Sequence, residues 1–429
     1  MEWQISTTAV YAGITTFTMC FAVAAMVLAP FSELQGRRPV FLVAGVVYCI
    51  SQIGSGATMS FVGMLVTRAI AGFSCSVFST MVGGVISDIY ISKERNTAMA
   101  IFSGTALAGA ALGPMISGII AQHLNWRWIF YLQTITCAIT VFALFLGFPE
   151  TRGSVLLSQK TQALNRWYEE VEKQPYHKPD ENTGNEGRGT DVSIPVCHGL
   201  RWKVKEDEDR AFIAILIRIS LTRPLFLLFA EGIVFWLSLW MAFAWTIVYP
   251  TFEALPLMFS ATAVASILSA ILAVWQESSL PRIEWLPGNL RDKPERRLYF
   301  SCFQSLLLPV GLFWLETTMR PSIPWIVPVL AFDCLTIGIF SVYLAVFNYL
   351  ADTYHAYARS AIAAQSFTRN VFAACLPLAT APMFSDLGFL NAGCLLGAAD
   401  IALSAVPWAL VLWGEKIRRR SKIASQSAE

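Results

Sequence analysis

Five ionisable side chains lie deep inside long apolar runs of the sequence. They are Arg68, Glu231, Asp333, Arg369 and Asp400. At a helical rise of about 1.5 Å per residue, each lies roughly 12–14 Å from the end of its run. If the runs cross a bilayer, this depth is near the midplane, where a charge is costly and where transporter sites are usually found. The pattern therefore predicts a functional site inside a membrane.

The residue types suggest how such a site would work. Glu231 and Asp333 are the predicted proton carriers, because a carboxylate takes up and releases a proton when its surroundings alternate between dry and wet. Arg68 is the predicted cation that biases them or holds a closed state. A structural ion pair that only neutralises two charges is the alternative for each of these groups, and for Arg369 with Asp400 it is the preferred one.

Two tryptophans of one apolar run could form part of a substrate cavity. Trp236 and Trp240 are four residues apart and so share a helix face. An aromatic wall suits flat, hydrophobic or cationic molecules, which bind by stacking and cation–π contact. Core packing or an aromatic belt at the membrane surface explains the same residues, so both interpretations are open.

The composition of the whole chain indicates a membrane protein. Of its 429 residues, 55% are hydrophobic and 14% are charged, whereas soluble domains carry about 25% charged residues. A membrane helix needs about 20 mostly apolar residues, and eleven runs come close to that length. The predicted fold class is therefore an all-α polytopic membrane protein. The runs lie at 9–29, 39–59, 61–86, 98–121, 127–148, 224–249, 257–275, 299–315, 325–349, 361–384 and 392–413.

The distribution of basic residues agrees with these eleven runs. All 31 Lys and Arg residues lie in alternate loops, with four exceptions: Arg68 and Arg369 within runs, and Arg127 and Arg320 in the opposite loops. Because basic loops stay in the cytoplasm, the C-terminus is predicted to be cytoplasmic and the N-terminus to lie on the opposite face.

Five runs precede a long polar segment and six follow it. The predicted domains are an N-terminal bundle at 1–148, a cytoplasmic linker at 149–223, a C-terminal bundle at 224–414 and a cytoplasmic tail at 415–429. Within the linker, the stretch 156–172 is predicted to form an amphipathic helix at the membrane surface.

The sequence lacks the patterns of enzymes and metal sites. Its nine cysteines form no CxxC pair, its four histidines are scattered, and it has no Gly-x-Ser-x-Gly or His-Glu-x-x-His. We therefore predict no catalytic activity, no metal and no cofactor. The net charge of +2 argues against a nucleic-acid partner, for which a strongly basic surface is expected.

A short polar loop follows the first apolar run. Residues 29–39 read Ala-Pro-Phe-Ser-Glu-Leu-Gln-Gly-Arg-Arg-Pro. Gly36 permits a chain reversal, and Glu33 can pair with a cation or with the N-terminus of a neighbouring helix. Arg37 and Arg38 fit a cytoplasmic loop. On its own, the pattern is explained equally well by a tight loop that follows the distribution of basic residues.

The loop resembles the one between helices two and three of the major facilitator superfamily, in the form found in fungal drug:proton antiporters. The resemblance implies two helical bundles around a central cavity. It also implies a cytoplasmic gate formed by Glu33, Gly36, Arg37 and Arg38 together with Asp88 and Arg95. Further matches follow in order along the chain, at Arg68–Gly72, Asp88–Arg95, Gly109–Gly118 and Pro149–Gly153.

The match at Gly109–Gly118 resembles the helix that marks antiporters in this family. Its small residues Gly109, Gly113 and Gly118 would let two helices approach closely, and Pro114 permits a bend. A bending helix pair suits alternating access. Ordinary close packing is the alternative explanation.

The resemblance implies a proton-coupled exporter of small amphipathic molecules, such as drugs, toxins or secondary metabolites. Its partners would be this substrate, protons and the lipid bilayer, and it would be a monomer in the plasma membrane. A polyamine or nutrient transporter of the same fold is an alternative. In the family the Gly-Arg-Arg loop follows helix two, but here it follows the first run. We therefore expect the chain to lack the family's first helix, which makes a non-transporting remnant a further alternative.

Overall fold

The regular structure of the chain is helical. The computed structural model describes residues 7–90, 95–173, 201–204, 213–247, 256–279, 294–318, 322–354 and 357–421. Within these ranges every regular element is a helix, which confirms the predicted all-α class. Helices are what an apolar sequence forms in lipid, because the helix satisfies each backbone N–H and C=O internally where no water is available.

The described helices fall on both sides of the long polar segment. The first half of the chain (7–173) contains α1 (Thr7–Gln35), α2 (Arg37–Ala57), α3 (Phe61–Thr80), α4 (Val82–Ile89), α5 (Arg95–His123), α6 (Arg127–Gly147) and α7 (Gly153–Lys173). The second half (213–421) contains α8 (Ile213–Ala230), α9 (Gly232–Thr246), α10 (Pro256–Ser279), a 3₁₀ turn (Pro294–Leu298), α11 (Tyr299–Gln304), α12 (Leu307–Thr318), α13 (Ile326–Tyr354) and α14 (Ala358–Arg420).

Each of the eleven apolar runs is mainly helical in its described part, but fewer helices qualify as membrane spans. In the described ranges eight helices are long and apolar enough to cross a bilayer, or nine if a strongly bent pair counts as one span. The run at 257–275 lies on α10, whose described apolar part, Thr262–Gln276, is short. The run at 361–384 lies on α14 and includes the polar residues Gln365, Arg369 and Asn370, which lower its hydropathy.

Helical structure in the second half is interrupted at two places. The run at 224–249 is not one straight helix, because α8 and α9 meet at Glu231 with a bend of 96°. Glu231 itself is extended, with φ −109° and ψ 106°. In α14, Gly388 has φ 75° and ψ 163° and divides the helix into two arms, 358–387 and 389–420.

Helices pack mainly against neighbours in the same half. In the first half α1 packs on α3, and α2 packs on α3 and α6; in the second half α9 packs on α14, and α13 packs on α10 and α12. The halves meet where α5 lies against α10 and α1 against α14. Gly104 makes the first contact possible, since a Cβ there would lie 2.7 Å from Ala270 Cβ. In the second, Thr15 Oγ1 donates to the Ala374 carbonyl at 2.9 Å.

The start of the polar segment is a helix, as predicted. In α7, Val155 and Ser158 are buried and most other side chains are exposed. Asn165 exchanges two hydrogen bonds with the backbone of Trp202, each 2.9 Å long. These bonds hold residues 201–204 against the exposed face of α7.

Candidate functional site

An acid and two arginines form a network in the first half, at the end of the helices that carries the Gly-Arg-Arg loop. Arg37 Nε and Nη2 donate to Asp88 Oδ2 at 3.1 and 2.9 Å. Arg152 Nη1 lies 3.5 Å from Asp88 Oδ1. Arg37 is only 3% exposed, so this two-pronged pairing with a carboxylate compensates a buried charge. The network ties α2 to α4 and to the residue before α7.

Glu150 completes this network, although it is not among the residues predicted to form the gate. Its carboxylate accepts hydrogen bonds from the backbone N–H groups of Arg37 (2.9 Å) and Arg38 (3.1 Å) at the start of α2. It also accepts from the N–H groups of Thr151 and Arg152. The first N–H groups of a helix have no partner within the helix and carry partial positive charge, so an anion there is stabilising. The sequence signal is an acid two residues after a long apolar run, but its partner lies more than 110 residues away.

Gly36 is required at the turn for two separate reasons. Its φ of 100° is one that residues with a Cβ rarely adopt. A Cβ there would also lie 2.5 Å from Glu150 Oε2. Any other residue would therefore strain the backbone and displace the carboxylate that caps α2.

This geometry predicts opposite effects for two glycine substitutions. Gly36→Ala is expected to destabilise the protein by about 1–2 kcal/mol from the backbone conformation alone, with a further loss from displacing Glu150. Gly109→Ala is the control and is expected to be neutral or stabilising by about 0.5–1 kcal/mol, because alanine favours a helix more than glycine does. Thermal unfolding in detergent measures both. Equal effects of the two substitutions would contradict the geometry.

The predicted gate is only partly described. The side chains of Glu33 and Arg95 lie outside the described part of the chain, so their roles stay predictions. Arg38 Nη2 donates to the Phe145 carbonyl at 3.0 Å, which fixes α2 to the end of α6.

The second half has ion pairs at the ends of its helices. Arg418 in α14 donates to Glu295 through Nε at 3.0 Å and Nη2 at 2.9 Å. Glu295 is 2% exposed, so this pair is nearly buried. Arg297 Nε lies 3.0 Å from Asp352 Oδ2, closer to the surface. We call the end of the molecule that carries these pairs and the Asp88 network the basic end.

Glu231 also lies at the basic end, and its prediction as a midplane residue is wrong. Ser421, the residue after α14, donates its hydroxyl to Glu231 Oε1 at 2.8 Å. Tyr354, the last residue of α13, donates to Glu231 Oε2 at 3.2 Å. The apolar run continues on both sides of Glu231, but the chain turns by 96° there. The number of residues to the end of the run therefore did not measure depth.

The other interior charges are not paired with each other. Arg68 lies over the Phe130 ring at 5.0 Å. The guanidinium of Arg369 lies 5.0 Å from the Trp245 ring centre and 5.5 Å from that of Tyr343. Such contacts stabilise a cation without a carboxylate. The Nε atoms of both arginines have no hydrogen-bond partner within the described ranges.

Two aspartates are candidates for proton exchange by virtue of their surroundings. Asp400 is fully buried, and neither of its carboxylate oxygens has a hydrogen-bond partner among the described residues. Asp333 is half-buried, and its Oδ1 is likewise without a partner there. The alternative of an Arg369–Asp400 ion pair is therefore wrong. An ionised carboxylate without a partner is costly inside a protein, so these positions suit a group that gains and loses a proton.

The predicted aromatic wall does not form. Trp240 is fully buried in the core of the second half, whereas Trp236 is 51% exposed and stacks edge-on against Phe235 at 5.4 Å. The two indoles share a helix face, but α9 is covered near Trp240 and open near its start.

The predicted close packing at the antiporter-type helix does not form either. A Cβ at Gly109, Gly113 or Gly118 would meet no atom within 4 Å among the described residues. A close approach of two helix backbones in this half lies at Gly72, where a Cβ would overlap the Phe17 carbonyl oxygen of α1. Pro114 lies inside the continuous helix α5.

Comparisons with known proteins agree on one family. The sequence profile of the Major Facilitator Superfamily matches residues 2–377. The transporter paaT of Penicillium rubens is 30% identical, over 100% of this chain and 75% of its own length. Efflux pump FUB11 of Gibberella moniliformis is 30% identical, over 97% of this chain and 68% of its own. The multidrug transporter mdrA of Aspergillus fumigatus is 30% identical, over 99% and 68%.

Solved structures show the same fold at lower identity. The proton:xylose symporter XylE superposes with a TM-score of 0.61 at 14% identity, covering 96% of this chain and 88% of its own. The human organic anion transporter MFSD10 gives a TM-score of 0.55 at 16% identity, covering 92% and 83%.

Proposed function

The chain belongs to the major facilitator superfamily, and we propose that it exports small amphipathic molecules, such as drugs or secondary metabolites, in exchange for protons. The observation that carries this proposal is the 30% identity, over at least 97% of the chain, to proteins named as an efflux pump and a multidrug transporter. Proton exchange rests on the family and on the unpaired carboxylate oxygens of Asp333 and Asp400 among the described residues.

We propose that the basic end faces the cytoplasm and that the protein lies in the plasma membrane. Support for this orientation comes from the Lys and Arg residues, which concentrate at that end. The same distribution supports two bundles, at 1–148 and 224–414, joined by a cytoplasmic linker.

The ion pairs suggest how the two bundles move. The pairs Arg37–Asp88 and Glu295–Arg418 each lie within one half. The halves meet through apolar contacts such as Gly104 against Ala270. Ionic contacts need exact geometry, whereas apolar surfaces lose less when they shift. Each half would therefore move as a rigid body against the other.

Asp333 and Asp400 are the proposed proton carriers in this scheme. A carboxyl group that meets water on one side of the membrane loses its proton there, and it regains one when the other side opens. Arg68 and Arg369, held on aromatic rings, supply fixed positive charge inside the bundles. Glu231 is not part of this set, because it lies at the basic end.

Dye accumulation in living cells tests export. We expect efflux-deficient yeast cells that express the protein to hold less of a cationic hydrophobic dye than cells with an empty vector. A protonophore should remove the difference. A vector-like dye level at normal surface expression, or a rise in dye level, would contradict export. Inhibition by spermine but not by a second hydrophobic dye would identify the polyamine alternative.

A further inference from the structure

The residue that follows the last helix, Ser421, is held by a hydrogen bond to the carboxylate of Glu231. Glu231 is 6% exposed and accepts a hydrogen bond on each oxygen, from Ser421 on Oε1 and from Tyr354 on Oε2. It thereby joins three places: the break between α8 and α9, the end of α13 and the residue after α14. We call the Ser421–Glu231 contact the tail latch.

Ser421 follows three arginines, Arg418, Arg419 and Arg420. Basophilic protein kinases select serines preceded by arginine, because carboxylates of the kinase pair with the guanidinium groups. Ser421 itself is outside the helix, with extended backbone angles of φ −78° and ψ 123°. We propose that Ser421 is a phosphorylation site and that phosphorylation opens the tail latch. This rests on the proposed cytoplasmic position of the basic end.

The covalent step transfers the γ-phosphoryl group of ATP. The Ser421 Oγ–H bond breaks and a bond from Oγ to the γ-phosphorus forms. The bond from that phosphorus to the bridging oxygen of ADP breaks, ADP leaves, and the proton passes to the kinase and then to water.

Phosphorylated Ser421 cannot keep its contact with Glu231. Phosphorylation removes the donor hydrogen that Glu231 Oε1 accepts, and it adds a charge of about −1.5 to −2 beside a buried carboxylate. Like charges repel strongly where water is excluded. The exposed arginines of the last turn can pair with the phosphate outside the latch, which favours the open form further.

The folded latch also limits access by the kinase. A kinase binds the arginines before Ser421, but Arg418 is engaged with the buried Glu295. The last turn of α14 must therefore open first. Weakening the latch should speed phosphorylation, because the contact with Glu231 limits access of the kinase to Ser421.

The test uses the purified full-length protein in lipid nanodiscs, with ATP and the catalytic subunit of a cyclic-AMP-dependent protein kinase. Peptide mass spectrometry should find phosphate at position 421 in the wild type and in Ser421→Thr. It should find none at that position in Ser421→Ala. Glu231→Gln should be phosphorylated about tenfold faster than wild type, since its latch is weaker. No phosphate on Ser421 in either wild type or Glu231→Gln would overturn the proposal.

A second measurement tests whether phosphorylation opens the tail latch, and not only whether Ser421 is phosphorylated. Hydrogen–deuterium exchange in the last turn of α14 should become about tenfold faster after phosphorylation. Arg419→Ala is the matched control, since this arginine is largely exposed and pairs with Glu415 rather than with the latch. It should slow phosphorylation about tenfold and leave exchange of the unmodified protein unchanged. Unchanged exchange after phosphorylation would overturn the latch.

Neither readout involves transport. A protein that moves no dye but passes both tests would refute the proposed export and leave the latch standing. A protein that exports dye but fails these tests would refute the latch alone.

Discussion

Replacing Asp88 with alanine is expected to destabilise the protein by about 3–5 kcal/mol, because the substitution leaves a buried guanidinium without its carboxylate. The Arg37 side chain is 4% exposed and that of Asp88 is 13% exposed. Water can therefore solvate the unpaired guanidinium only slightly. Thermal unfolding in detergent measures the loss, and dye efflux should fall with it.

The matched control for this substitution is Asp352→Ala in the second half. Asp352 also pairs with an arginine, Arg297, at 3.0 Å, but its side chain is 37% exposed. Pairs near the surface contribute about 0–1 kcal/mol. The Asp88 variant should therefore be much less stable than the Asp352 variant. Similar losses in both would show that burial of the Arg37 network is not what stabilises the basic end.

Asp400→Asn is expected to lower proton-driven efflux at least about tenfold, a difference of about 1.4 kcal/mol, without loss of stability. Asparagine keeps the shape of aspartate but cannot exchange a proton. In the folded protein Asp400 is fully buried with both oxygens unpartnered among the described residues, so the neutral amide costs no ion pair. Efflux by the wild type should vary with external pH, and the residual efflux of the variant should not.

Glu170→Gln is the control for this acid-to-amide change, because Glu170 is exposed on α7 and far from the interior acids in sequence. It should leave efflux and its pH dependence unchanged. If Asp400→Asn transports with the pH dependence of the wild type, Asp400 is a structural residue, and Asp333 is left as the proposed proton carrier.

The general architecture followed from the sequence because lipid imposes simple rules. An apolar run of about 20 residues becomes a helix, and the described part of each of the eleven runs is mainly helical. Gly36 is predicted to permit a chain reversal, and it has a φ of 100°. The basic loops identified an end of the molecule where Arg37 and Arg152 are in fact gathered around Asp88.

The details that escaped prediction depend on how helices bend and rotate. Helices that are apolar all round carry little information about which face meets a neighbour, so the glycine face of α5 and the two indoles of α9 were misplaced. The bend at Glu231 lies where Glu231 and Gly232 interrupt an apolar run, but these two residues alone do not predict a turn of 96°. Glu150 caps a helix that begins more than a hundred residues earlier, which no local pattern encodes.

The most direct test of the central claim is transport by the purified protein in proteoliposomes under an imposed pH gradient. A fluorescent amphipathic substrate is placed on both sides at equal concentration, and its movement is followed as the gradient is applied and then reversed. An antiporter moves the substrate opposite to the protons, whichever way the protein is inserted, so the direction should reverse with the gradient. Movement of substrate in the same direction as the protons, or movement that ignores the gradient, would contradict proton-coupled export.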